Sequence, residues 1–345
     1  MTGRRGVSIK AVLTALLAAG ALAALVVVVV RSDLFGERGR EKLGPEFQYD
    51  LDSLRRIDPA RIGWRQTASF PAGVASPAAL AVGADGRIYV AGGDEVRVFS
   101  PAGLQESAFR AGAAVAALAA GDDGRIYLAA GRRVEVRDGA GVLLTAWSPG
   151  GETSLPKSIA VHGESVAVAD LGLRAVLVFD RQGALQTRLD GTTRGETSPW
   201  LLPGPCFALT FGRDGLLRIV NPGQLRIEAW TTDGHREFVW GRAATDLDGF
   251  LGCCNPVYLA VLDDGRIVTS EKGVRRIKVY RPDGPRGAGK LESVVAGPAQ
   301  LGNEDTALPV AADAQGRIYA LDPTAGRVRV FESIAPASLP AGGRP

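Results

Sequence analysis

From Trp64 onward, short runs of alternating apolar and polar residues recur along the chain, each bounded by Gly, Asp or Pro. Alternation with a period of two turns one face of an extended segment inward and the other outward, so these runs predict β-strands. In "ALAVGADGRIYVA", residues 79–91, two such runs flank an Asp-Gly pair, the composition of a tight hairpin. The block then returns. "DGRIYVAGGDEVRVF" begins at Asp85, "DGRIYLAAGRRVEVR" at Asp123 and a diverged "GESVAVADLGLRAVLVF" at Gly163. "DGLLRIVNPGQLRIEAW" follows at Asp214, "DGRIVTSEKGVRRIKVY" at Asp264 and "QGRIYALDPTAGRVRVF" at Gln315. The turn glycines Gly86, Gly124, Gly163, Gly215, Gly265 and Gly316 are spaced by 38, 39, 52, 50 and 51 residues.

Each copy runs on into a third strand, such as "EVRVF" or "IKVY", and after another turn into a fourth. Four short strands per repeat at this period describe a propeller blade. Six copies predict an all-β fold, a six-bladed β-propeller over residues 62–333. The last copy supplies three strands and then turns Pro-rich, while the run "WRQTASF", Trp64 to Phe70, stands unpaired before the first copy. That run is expected to complete the last blade, which closes the ring and removes an open edge.

One segment breaks the pattern. Ala11 to Val30 is twenty residues without a charge, long enough as a helix to span about 30 Å of hydrocarbon. Arg4, Arg5 and Lys10 precede it, which favours a cytoplasmic N-terminus. The expectation is a signal anchor: residues 1–10 cytoplasmic, 11–30 a transmembrane helix, 31–61 a charged linker, and 334–345 a disordered tail. The propeller is then periplasmic or extracytoplasmic, tethered to the inner membrane by a single pass. A cleaved signal peptide, with a small-residue site at Ala21-Leu22-Ala23, is the alternative.

The repeat shape, an apolar strand, "DGRIYV", an acidic residue and then "RVRVF", resembles the NHL-repeat six-bladed propellers over roughly residues 62–333. "LGCCNP", "TSEKG", "RIKVY" and "VVAG", within residues 240–297, are similar to a membrane-associated bacterial subset of that family. The resemblance implies the fold; for function it implies a range that includes binding platforms, lyases and hydrolase-like relatives.

The formal net charge of +3 on 345 residues, with no basic stripe interleaved with aromatics, excludes nucleic acid as an expected partner. "GPRGAGKL" at 284–291 matches a phosphate-loop spacing, but Leu291 replaces the required hydroxyl residue and the segment joins two strands.

Register within the repeat places the remaining candidates. Six residues beyond the turn glycines, at the end of the second strand, stand Gly92, Ala130, Asn221, Glu271 and Asp322, with Asp170 at the matching point of the diverged copy. Blades three to six thereby carry a polar arc, Asp170, Asn221, Glu271 and Asp322, expected at the rim and facing the central channel. Ca²⁺ is a candidate ligand of these oxygens, as in the gluconolactonase-like propellers, and would activate water for hydrolysis. The other reading makes each an ordinary turn hydrogen-bonder.

Cys206, Cys253 and Cys254, the three cysteines of the chain, fall at the inner-strand entries of blades four and five on that same rim. An inter-blade disulfide, a strained bond between the neighbours, a soft-metal or redox site and free thiols are all open. The chain's two histidines, His162 and His235, stand at unrelated positions. The loop holding Glu271, Lys272, Arg275 and Arg276, with Asn255 and Trp240 nearby, suits an anionic ligand or a partner's carboxylates. Pairing of Glu271 with Arg275 or Arg276 is the structural alternative, and for Trp200 and Trp240 the alternative is core packing between blades. The reading overall is a membrane-anchored module binding a protein or small anionic ligand on its polar rim. The alternative is an enzyme, either a metal-dependent hydrolase using the arc or a thiol protein using the cysteines.

Overall fold

A computed structural model describes residues 9–31, 50–192, 200–282 and 289–334. Two compact units divide the chain, Met1–Leu51 and Asp52–Pro345. The first contains a 23-residue helix, Ile9–Arg31. Among the described residues no helix is long and apolar enough to cross a membrane. Most of the valine run behind the anchor expectation is not tested by that finding, because the side chains of Val26, Val27, Val29 and Val30 lie outside the described set. The same holds for residues 32–49 of the expected linker, 335–345 of the tail, and 284–288 of the "GPRGAGKL" segment. The end of the linker does have structure: Leu51–Arg55 is a short helix, and Pro59–Arg61 a 3₁₀ turn capped by the Asp58 side chain.

The second unit is all-β. Among the described residues it contains six four-stranded antiparallel sheets, strands adjacent in the chain being adjacent in each sheet. Five sheets are formed by consecutive residues, 77–110, 115–147, 156–189, 209–240 and 258–296. The sixth takes three strands from 310–333 and its outermost from Trp64–Pro71. Trp64–Pro71 runs antiparallel to Arg327–Ser333, pairing Trp64 with Ser333 and Phe70 with Val328. The expected ring closure is therefore present, one residue longer than the sequence pattern indicated.

The turn chemistry explains why the repeats fold alike. In the Asp-Gly hairpins the Asp side chain accepts the N–H two residues on, at 3.0 Å from Arg87 to Asp85 and 3.1 Å from Arg266 to Asp264. The glycine that follows adopts a left-handed conformation, φ +80° at Gly86 and +84° at Gly265, which a Cβ would oppose. Blade six has Gln315 where blades one, two, four and five have Asp, and Asp313 takes over. Its carboxylate accepts from the N–H groups of Gln315 and Arg317 at 3.0 and 2.8 Å.

The core lies between blades, not within them. Each of six apolar clusters joins one pair of neighbours, as where Tyr319, Leu321 and Val328 of blade six meet Leu80, Ile88 and Val90 of blade one. Trp200 and Trp240 belong to these clusters. Trp200 packs edge-on against Trp230 at 5.9 Å, and Trp240 lies 5.0 Å from the Tyr280 ring. Core packing is thus the role the fold gives both tryptophans.

Trp64 serves closure twice. It is 2% exposed in the cluster between blades five and six, and its indole N–H donates to Ser293 Oγ at 3.2 Å. Trp64→Ala is expected to cost about 3–5 kcal/mol of stability, read as a lower denaturation midpoint with an unchanged slope. A loss below about 1 kcal/mol would mean that the closing strand contributes little.

Candidate functional site

The six innermost strands surround a channel of about 590 Å³. Its walls are mainly small or apolar side chains, including Ala78, Ala116, Ala117 and Ala260. Polar chemistry concentrates where the inner strands begin: Lys157, Cys206 and Tyr258 line the channel there. Lys157 and Tyr258 stand at the starts of Pro156–His162 and Tyr258–Val261, and Cys206 just ahead of Leu209–Phe211. His162 ends its strand five residues on from Lys157, toward the opposite mouth, with its ring 5.6 Å from Phe211. His235 is exposed near Asp233.

The polar arc occupies the register positions expected: Asp170, Asn221, Glu271 and Asp322 each end the second strand of their blade. All four are buried, none lines the channel, and their oxygens already have partners. Asp170 accepts from Ser154 Oγ at 2.5 Å and from the N–H groups of Leu155 and Leu173 at 2.8 and 2.9 Å. Asn221 accepts from Leu201 N–H at 3.0 Å and donates to Glu228 at 2.8 Å. Asp322 accepts from Ala325 N–H and Arg329 at 3.0 and 2.9 Å. Glu271 pairs with Arg276 at 2.9 Å and Lys278 at 2.6 Å. Asp170 and Asn221 are spent on loop and turn hydrogen bonds and Glu271 and Asp322 on ion pairs, and no group of three or more His, Cys, Asp or Glu that could hold a metal ion occurs among the described residues. The expectation that they face the channel is corrected: each side chain is buried and bonded to neighbouring strands and loops instead.

The charged loop after Glu271 is likewise turned inward, contrary to its reading as an open rim. Arg275 and Arg276 are each 1% exposed. Arg275 organises the segment before blade six, donating to Leu301 O and Thr306 O at 2.7 Å each and pairing with Glu304 at 2.8 Å. Lys278, which the sequence pattern hid inside an ordinary strand, is the pivot of the preceding loop. Its ammonium is buried over the Phe250 and Tyr280 rings and donates to Leu247 O and Gly249 O at 3.0 and 2.7 Å. Burial lowers the Lys278 pKa, opposed by the Glu271 charge. No sequence signal distinguishes this lysine from an outward-facing strand residue; only the paired burial of Glu271 does.

That loop ends in the thiols. Cys253 is exposed, Cys254 is buried, and their Sγ atoms lie 3.5 Å apart. Asn255 is buried: its Nδ2 donates to Leu251 O at 2.6 Å and Lys272 O at 3.1 Å, and its Oδ1 accepts from Lys272 N–H at 3.0 Å. It clamps two loops together. Cys206 is close enough to raise the Cys254 pKa, and the Lys272 charge acts on both thiols. Burial pushes both thiols up, against the lysine. Tyr258 is pushed up to about 12 by burial and by the neighbouring Cys206. Of the charged side chains here, Lys157 and Lys272 have no carboxylate at ion-pair distance among the described residues. Lys157 and Tyr258 are the site residues that the repeat register did not single out; each begins an inner strand, where a polar residue among alanines and valines was the available signal.

Two predictions follow from these charges. Glu271→Gln leaves Arg276 and Lys278 buried without a counter-charge and is expected to cost about 3–5 kcal/mol, read by denaturant unfolding at neutral pH. A neutral phenol in the fold that ionises more readily when unfolded contributes stability below pH 10 that is lost as pH rises toward 12. Tyr258→Phe should therefore flatten the alkaline decline in stability over that window, and an unchanged slope would contradict the assignment.

No family model matches the chain, and no curated protein does. Solved structures of propeller type do superpose on it. A protein of unknown function from Bacteroides thetaiotaomicron aligns with a TM-score of 0.57 at 17% identity, over 79% of this chain and 73% of that one. A streptogramin B lyase aligns at 0.53 and 12%, over 80% and 100%. A catalytically inactive histidine-to-alanine variant of virginiamycin B lyase from Staphylococcus aureus, solved with quinupristin, aligns at 0.51 and 13%, over 75% and 81%. At these identities what the chain shares with them is the six-bladed β-propeller.

Proposed function

We propose that this protein is an NHL-type propeller held at a membrane by its N-terminal helix, binding an anionic ligand or an acidic partner segment at the channel mouth. The observation that carries this reading is the contrast in charge at that rim. Glu271, Arg275, Arg276 and Lys278 are consumed in ion pairs, while Lys157 and Lys272, whose charges act on Cys206, have no carboxylate at ion-pair distance among the described residues. Lys157 in the channel wall and the Lys272 charge acting on the thiols beside it would attract carboxylate or phosphate, with the Tyr258 phenol as an additional donor. The uncharged stretch Ala11–Val30 and the basic residues before it support the membrane anchor.

An enzymatic role of the hydrolase or lyase kind finds less support in this mouth. The arc's carboxylates are already paired, and neither histidine stands beside Lys157, Cys206 and Tyr258.

The test uses the full chain in detergent, titrated calorimetrically with citrate and inorganic phosphate as probes. Binding that weakens with salt, and roughly tenfold or more in the Lys157→Glu, Lys272→Glu double variant, is expected. Equal affinity in that variant would overturn the site. For the anchor, the chain should stay in the membrane fraction after an alkaline carbonate wash, and release by that wash would overturn it.

A further inference from the structure

Cys253 and Cys254 are used by neither the buried ion pairs nor the lysine mouth. They form the tip of the Gly252–Asn255 turn, one thiol at the surface and the other beneath it, with their sulfurs 3.5 Å apart. The turn is anchored on its far side by the Asn255 clamp on Leu251 and Lys272. The Lys278 ammonium holds its near side through Leu247 O and Gly249 O. A pair of thiols is thereby presented on a fixed backbone, with one member open to an incoming reagent.

Neighbouring Cα atoms stand about 3.8 Å apart across a trans peptide, short of the roughly 4.4–6.8 Å of ordinary disulfides. A bond between neighbours is strained, and strained, accessible disulfides are the readily reduced ones. Cys206 is the less suited partner: it belongs to a different loop, whereas the Cys254 sulfur already lies 3.5 Å from that of Cys253.

We propose that Cys253 and Cys254 form a reversible thiol–disulfide site whose substrates are low-molecular-weight disulfides. The Cys253 thiolate attacks one sulfur of R–S–S–R, breaking that bond. RS⁻ leaves, takes up a proton equivalent to the one Cys253 lost, and Cys253–S–S–R forms. Cys254 then loses its proton, attacks the Cys253 sulfur and expels the second RS⁻, which is protonated in turn. Two protein thiols lose two electrons in all, and one disulfide becomes two RSH. The site is independent of what the lysine mouth binds, so failure of either reading leaves the other standing.

The full chain is equilibrated with graded ratios of oxidised to reduced glutathione, quenched in acid, alkylated and mapped by mass spectrometry. The expected result is a peptide containing both Cys253 and Cys254 that carries an internal disulfide at high ratios and returns to two alkylated thiols at low ones. Cys206→Ser should behave identically. Cys254→Ser should trap glutathione on Cys253, and Cys253→Ser should trap roughly tenfold less, because Cys254 is buried. A crosslink from Cys206 to either member, or alkylation of both thiols at every ratio, would overturn the proposal.

Discussion

Closure of the ring is the constraint on which the rest of the structure depends. Every apolar cluster in the propeller is shared between two blades, so a blade removed from its neighbours would expose both faces to water. Pairing of Trp64–Pro71 with Arg327–Ser333 turns a row of sheets into a ring in which each blade has two neighbours. The same pairing positions Trp64 across the junction of blades five and six. The channel, its width and the convergence of six strand entries on one mouth are consequences of that closure.

Within the ring, charge burial shapes the rim of blades four to six. A lysine buried over two aromatic rings is tolerable because Glu271 balances it and two backbone carbonyls complete its hydrogen bonding. The ammonium then holds the loop that carries the thiols. Arg275 does the equivalent for the segment leading into blade six. Charges spent in this way organise loops. Lys157 and Lys272 have no such carboxylate partner among the described residues.

How far the chain can be read without coordinates differs between strands and sites. The Asp-Gly turns and alternating runs announce the blades because hairpin and strand preferences are local, and local signals survive repetition. The same register locates Asp170, Asn221, Glu271 and Asp322 at strand ends. It says nothing about whether a strand-end carboxylate points to water or is buried, which depends on partners such as Ser154, Arg329 and Lys278 from other strands and loops. Lys278 is the clearest case. As a lysine in an alternating strand it reads as solvent-facing, and a loop beginning over thirty residues earlier covers it.

By itself the sequence determined the architecture, the six repeats and the closing strand, because each follows from periodicity and short-range turn chemistry. Only the tertiary structure decided which rim charges are consumed in ion pairs. It also decided that Asn255 is a clamp, and that one of two adjacent thiols is exposed while the other is covered. Those outcomes rest on desolvation and on contacts between residues distant in the chain, and neither is written in any local pattern.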